Sequence, residues 1–85
     1  MLDIRLNNSL KALDKKFVAC VLLASYKKPI KEILITSKGT IYIVKFSYRN
    51  MYFMLNYDSN FIQSNLTTDV VNIIQTDIEE KICTA

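Results

Sequence analysis

A chain of 85 residues with 51% apolar side chains, one glycine, one proline and a net charge of +3 has room for one domain and one core. This composition excludes a disordered tail, a collagen-like repeat and a disulfide scaffold. It also supplies more apolar residues than so small a core easily covers, which points to a partner or a second copy.

Leu2, Ile4 and Leu6 alternate at the start of the chain and read as a short extended lead. Asn8 and Ser9 are good N-caps for a helix whose stripe is Leu10, Leu13, Phe17, Cys20, Val21 and Ala24, with Lys11, Asp14, Lys15 and Lys16 outside it. In its second half Val18, Leu22 and Leu23 lie off the stripe, so this part predicts contact with two neighbours. Pro29 ends the helix near Tyr26. The run Phe17–Tyr26 is too short to span a bilayer. Lys27-Lys28-Pro29 follows it where a signal peptide needs small residues. Phe17-Val-Ala-Cys20 resembles a lipoprotein cleavage box, but no apolar stretch precedes it. Cys20 and Cys83 read as two free thiols, so a soluble protein of the reducing cytoplasm is expected, with no membrane contact.

Ile30–Ser37 is β-branched and bounded by Pro29 and Gly39, which predicts a strand. A two-residue turn at Lys38-Gly39 would set Ile33 against Val44, Ile35 against Tyr42 and, on the other face, Glu32 against Lys45; a three-residue turn with a bulge at Gly39 would change that register. Ile41-Tyr-Ile-Val-Lys-Phe-Ser-Tyr48 and Met51-Tyr-Phe-Met-Leu-Asn-Tyr57 alternate with period two on either side of Arg49-Asn50. A tight hairpin there pairs Tyr48 with Met51, Phe46 with Phe53, Val44 with Leu55 and Tyr42 with Tyr57 on one apolar face. Asp58-Ser59-Asn60 breaks the third strand and a linker follows. Thr67 or Thr68 then caps a last helix, with Asp69 near its positive end and Val70, Val71, Ile74, Ile78 and Ile82 as its stripe, Ile73 beside it.

The expected fold class is α+β, in the order α-β-β-β-α, with a three-stranded antiparallel meander and helices packed mainly on one face, a single domain over 1–85. This order resembles that of double-stranded-RNA-binding domains, whose second helix begins with a basic cluster. Here that helix begins Asn65-Leu-Thr-Thr-Asp69 and has no lysine before Lys81, so the resemblance is one of order and not of motif.

No catalytic residue, metal ligand or cofactor site is expected. Histidine, the commonest general base, is absent; two cysteines are too few for a structural zinc site; a single glycine cannot build a phosphate loop. Asp69, Asp77, Glu79 and Glu80 read as a solvated helix face, and Asp58 as a turn former.

The second face of the meander is the conspicuous feature. Leu34, Ile41, Ile43, Tyr52 and Met54 fall there among Glu32, Thr36, Lys45, Ser47 and Asn56, where a solvated sheet face should be mostly polar. These five, rimmed by Lys45 and Arg49, form the expected partner-binding surface of a non-catalytic protein-interaction module working as a homodimer. Ile33–Thr36 and Met51–Tyr57 are expected to be the edge strands, open to pairing between copies. The small size and the Lys, Asn and Ile usage fit an accessory protein of a phage or mobile element, an inhibitor that binds a host complex. The alternative is a small nucleic-acid-binding regulator. Residues 1–50 hold ten basic and three acidic side chains against one and five in residues 51–85, and Lys11, Lys15, Lys16, Lys27, Lys28 and Lys31 would supply the phosphate contacts. Tyr42, Tyr48, Tyr52 and Tyr57 could stack bases in that reading, but three of the four fall on the expected core face, which favours packing.

Overall fold

A computed structural model describes residues 3–6, 15–26 and 28–84, with side chains from residue 15 onward. The elements are β1 (Asp3–Leu6), α1 (Lys15–Ser25), β2 (Glu32–Lys38), β3 (Ile41–Tyr48), β4 (Met51–Asp58), α2 (Ser59–Ser64) and α3 (Thr67–Thr84). The α+β architecture, with its antiparallel meander β2-β3-β4 between helices, is as the residue pattern predicts. The expected N-caps Asn8 and Ser9 lie outside the described residues.

Core residues follow from the pleat. Ile33 and Ile35 of β2, Tyr42, Val44 and Phe46 of β3, and Leu55 and Tyr57 of β4 share one sheet face and are buried. Against them α1 places Phe17, Cys20, Val21 and Ala24, and α3 places Val70, Ile74 and Ile78, all without solvent exposure. Phe17 anchors the junction: its ring stacks on Tyr42 at 4.6 Å between centroids and lies 5.8 Å from Tyr57. α1 and α3 run alongside each other in the same sense. Lys16 donates to the Asn65 carbonyl at 2.5 Å beside the start of α3, and Lys28 just past α1 pairs with Glu79 three turns on.

Both hairpins close with two-residue loops, by different turn chemistry. Arg49 (φ 51°) and Asn50 (φ 64°) are both left-handed, as a type I′ turn requires, and the β3–β4 register is the expected one down to Tyr42 opposite Tyr57. The β2–β3 register differs from expectation. Lys38 pairs with Ile41 and the loop is Gly39-Thr40, so Ile33 faces Phe46 and Ile35 faces Val44. Glu32 is therefore not opposite Lys45; Leu34 is. Gly39 (φ 62°) occupies the first loop position, where a type II′ turn demands glycine, whereas a Lys38-Gly39 loop would need a left-handed lysine. The slip is by two residues, so each side chain keeps its face.

Two elements extend the expected order. The lead forms β1, which pairs in parallel with β2, Ile4 beside Ile33 and Leu6 beside Ile35, giving a sheet ordered β1-β2-β3-β4. A parallel pair needs a long crossover, and the segment holding α1 supplies it. β2 is consequently an interior strand and not the edge expected at Ile33–Thr36; the edges are β1 and β4. The linker after β4 contains the six-residue α2, capped by Asp58, whose carboxylate accepts from the Asn60 N–H at 3.0 Å, and held down by the fully buried Ile62.

Candidate functional site: the outer face of the sheet

The face of the meander turned away from α1 and α3 is built in cross-strand rows. Ser47 lies opposite Tyr52; Leu34, Lys45 and Met54 form the next row, then Thr36, Ile43 and Asn56, then Lys38, Ile41 and Asp58. Ile43 is thus diagonal to both Leu34 and Met54, and these three make one apolar triangle. Tyr52 is 76% exposed and Met54 52%, while Leu34 and Ile43 are half-buried between neighbouring strands. Ile41 is 39% exposed and stands one row beyond the triangle, between Lys38 and Asp58.

The two basic residues expected on the rim have different positions. Lys45 lies inside the face, between Leu34 and Met54, so its exposed ammonium rises from the middle of the patch. Arg49 sits in the β3–β4 turn, with its guanidinium carbon 5.2 Å above the ring of Tyr48, a residue of the core face. It belongs to the end of the hairpin rather than to the outer face.

At one corner of the face, Glu32, Leu34, Lys45, Ser47 and Tyr52, with Ile33 and Phe46 beneath, line a hollow of about 140 Å³. This is below the roughly 300–1,000 Å³ of ordinary small-molecule sites. It fits one side chain better than a metabolite. Glu32 and Ser47 are members of this site that the alternating pattern passed over as polar filler; the signal available was their position beside Tyr52 and Leu34.

Among the described residues, the lysines of the alternative surface do not form one free patch. Lys16 is committed to the Asn65 and Gln63 carbonyls and Lys28 to Glu79. Lys15 and Lys31 are exposed, one at the start of α1 and the other between α1 and β2. Lys11 and Lys27 lie outside the described residues. On α3, Asp77 accepts the Tyr57 hydroxyl at 2.6 Å, so part of the acidic run serves packing rather than solvation alone. Burial pushes the Tyr57 phenol well above its ordinary value, and the hydrogen bond to Asp77 and its negative charge act in the same direction. Burial also raises the Cys20 thiol, a shift that the nearby Lys16 ammonium opposes, while Cys83 is exposed. Among the described residues no group of three or more acidic or cysteine side chains could hold a metal ion, and no helix is long and apolar enough to cross a membrane.

Comparison of the chain with protein-family models, curated proteins and solved structures gives no match.

Proposed function

We propose that this chain is a non-catalytic protein-interaction module that lays the outer face of its sheet against a protein partner. The supporting observation is the apolar triangle of Leu34, Ile43 and Met54 with Tyr52 beside it, on a face that neither α1 nor α3 covers. Large exposed apolar side chains grouped on one sheet face mark interaction surfaces. Tyr52 is the anchor, an aromatic of low conformational-entropy cost, and the adjacent hollow receives one side chain of the partner. Lys45 at the centre selects for an acidic group opposite it, since a buried ammonium needs a partner. The free thiols fit a reducing compartment such as the cytoplasm, and the small size and residue usage fit a phage or mobile-element accessory protein that blocks a host complex.

The test is capture of the partner from nuclease-treated lysate of the cells that carry the gene, by the tagged wild type and by Ile43→Asp and Tyr52→Ser variants of unchanged circular dichroism. A partner that survives nuclease and moderate salt, and is lost with Ile43→Asp, supports the reading. Recovery of nucleic acid alone, with affinity falling steeply as salt rises, would transfer the function to the basic N-terminal half. Equal capture by Ile43→Asp would remove the outer face from consideration.

A further inference from the structure

Among the described residues no strand pairs with the outer edge of β4, an edge distinct from the face just described. The Ser59 N–H donates to the Thr40 carbonyl at 2.8 Å, continuing a ladder in which the odd-numbered residues of β4 bond to β3. The even-numbered ones, Tyr52, Met54 and Asn56, therefore direct their N–H and C=O groups away from the sheet. Natural edges are normally blunted by proline, lysine or a bulge. β4 has no proline, no charge from Met51 to Tyr57, and an unbroken pairing with β3 over its whole length.

We infer that two copies of this chain pair antiparallel through β4, centred on Met54, to form one continuous sheet. Three features select this occupant. The first is charge. Arg49 precedes the strand and Asp58 ends it, so antiparallel self-pairing brings opposite charges together at both ends, whereas parallel pairing would stack like on like. The second is register. Placing Met54 opposite Met54 of the other copy is the alignment that pairs Tyr52, Met54 and Asn56 completely among themselves, Tyr52 with Asn56 of the other copy. The third is apolar area on both sides of the edge. Tyr52 and Met54 flank it on the outer face. On the helix side stands the 39% exposed Met51, together with Ile73, which is 37% exposed one turn before the Asp77 that receives the Tyr57 hydroxyl. Pairing the strands thus also brings the two α3 helices toward each other and joins the two outer faces into one longer surface. The dimer does not depend on the partner reading above: a monomer could still bind a partner through its outer face, and a dimer could exist without one.

Sedimentation equilibrium of the purified chain, with Met54→Pro and a cysteine pair of variants, tests it. Met54 donates nothing to β3, so proline there leaves the β3–β4 ladder whole and removes a hydrogen bond only from the outer edge. The wild type is expected to be a dimer, and Met54→Pro to raise the dimer Kd by more than about tenfold with unchanged circular dichroism. In a Cys83→Ser background, Met54→Cys is expected to give a disulfide-linked dimer on mild oxidation. Directly paired residues lie about 5.5 Å apart, within disulfide reach. Tyr52→Cys is expected not to link, since the two positions 52 would be about 14 Å apart along the strands. A monomer at all concentrations overturns the inference. So does a dimer that tolerates Met54→Pro, or one in which Tyr52→Cys links as readily as Met54→Cys. If Met54→Pro loses its fold, the cysteine pair alone decides.

Discussion

Among single residues, Tyr57 joins the sheet to α3 most directly. Its ring lies in the core beside Phe17 and its hydroxyl reaches Asp77, so one side chain fixes the distance between the two layers. In the unfolded chain a tyrosine ionises at pH ~10 and a cysteine at pH ~8.5. Burial raises both Tyr57 and Cys20 in the fold, so above those values the native state retains protons that the unfolded chain has released. By linkage that contribution is present at neutral pH and is lost as the pH rises. Urea denaturation midpoints are therefore expected to fall from about pH 9 upward. Tyr57→Phe should lower stability by about 1–2 kcal/mol at pH 7, as for a hydrogen bond to a partly exposed carboxylate. It should also flatten the decline above pH ~10. A Tyr57→Phe variant that keeps the full wild-type slope would show that the phenol is not the group responsible.

At the scale of elements, legibility depended on how many turn residues constrain each register. Arg49-Asn50 lies between two strands of strict alternation, and only one pairing puts Phe46, Val44 and Tyr42 against Phe53, Leu55 and Tyr57, so the hairpin could be read whole. Lys38-Gly39-Thr40 offers one glycine to two loop positions, and period-two alternation is blind to a slip of two. Strand β1 was harder still, because four residues pair in parallel with a strand far along the chain, and no local signal encodes such a contact. Helix α2 was hidden because six residues hold a single buried side chain, Ile62, too few for a period. The outer-face residues were legible from alternation alone, but the central place of Lys45 and the departure of Arg49 needed the rows themselves. The turn chemistry makes its own prediction. Asn50 holds φ 64°, which asparagine and glycine tolerate and β-branched residues resist. Asn50→Gly should leave the melting temperature unchanged or raise it, while Asn50→Val should lower stability by about 1–2 kcal/mol. For a domain of this size that is a fall on the order of 4–16 °C. Equal melting temperatures would mean that the hairpin does not close as a type I′ turn.

On the scale of the whole molecule, the sheet has unequal sides. One carries Phe46 and Val44 of β3 beneath two helices; the other carries Tyr52 and Met54 of the adjacent β4, facing outward. Side chains that remain exposed in the folded monomer gain little from folding, whatever their hydrophobicity, because their transfer from water has not occurred. Truncating them should therefore be nearly neutral. Tyr52→Ser and Met54→Thr are each expected to change unfolding free energy by no more than about 0.5 kcal/mol. Phe46→Ala, one strand away on the buried face, should cost about 3–5 kcal/mol by removing contacts and leaving a cavity. Urea titration of the three variants at a concentration where the chain is monomeric makes the comparison direct. If Tyr52→Ser and Met54→Thr together cost as much as Phe46→Ala, another part of the same chain covers the outer face in solution, and the proposed contact surface is a second core. If they are neutral, the stability of the monomer does not depend on Tyr52 and Met54, which is what the proposed contact surface requires.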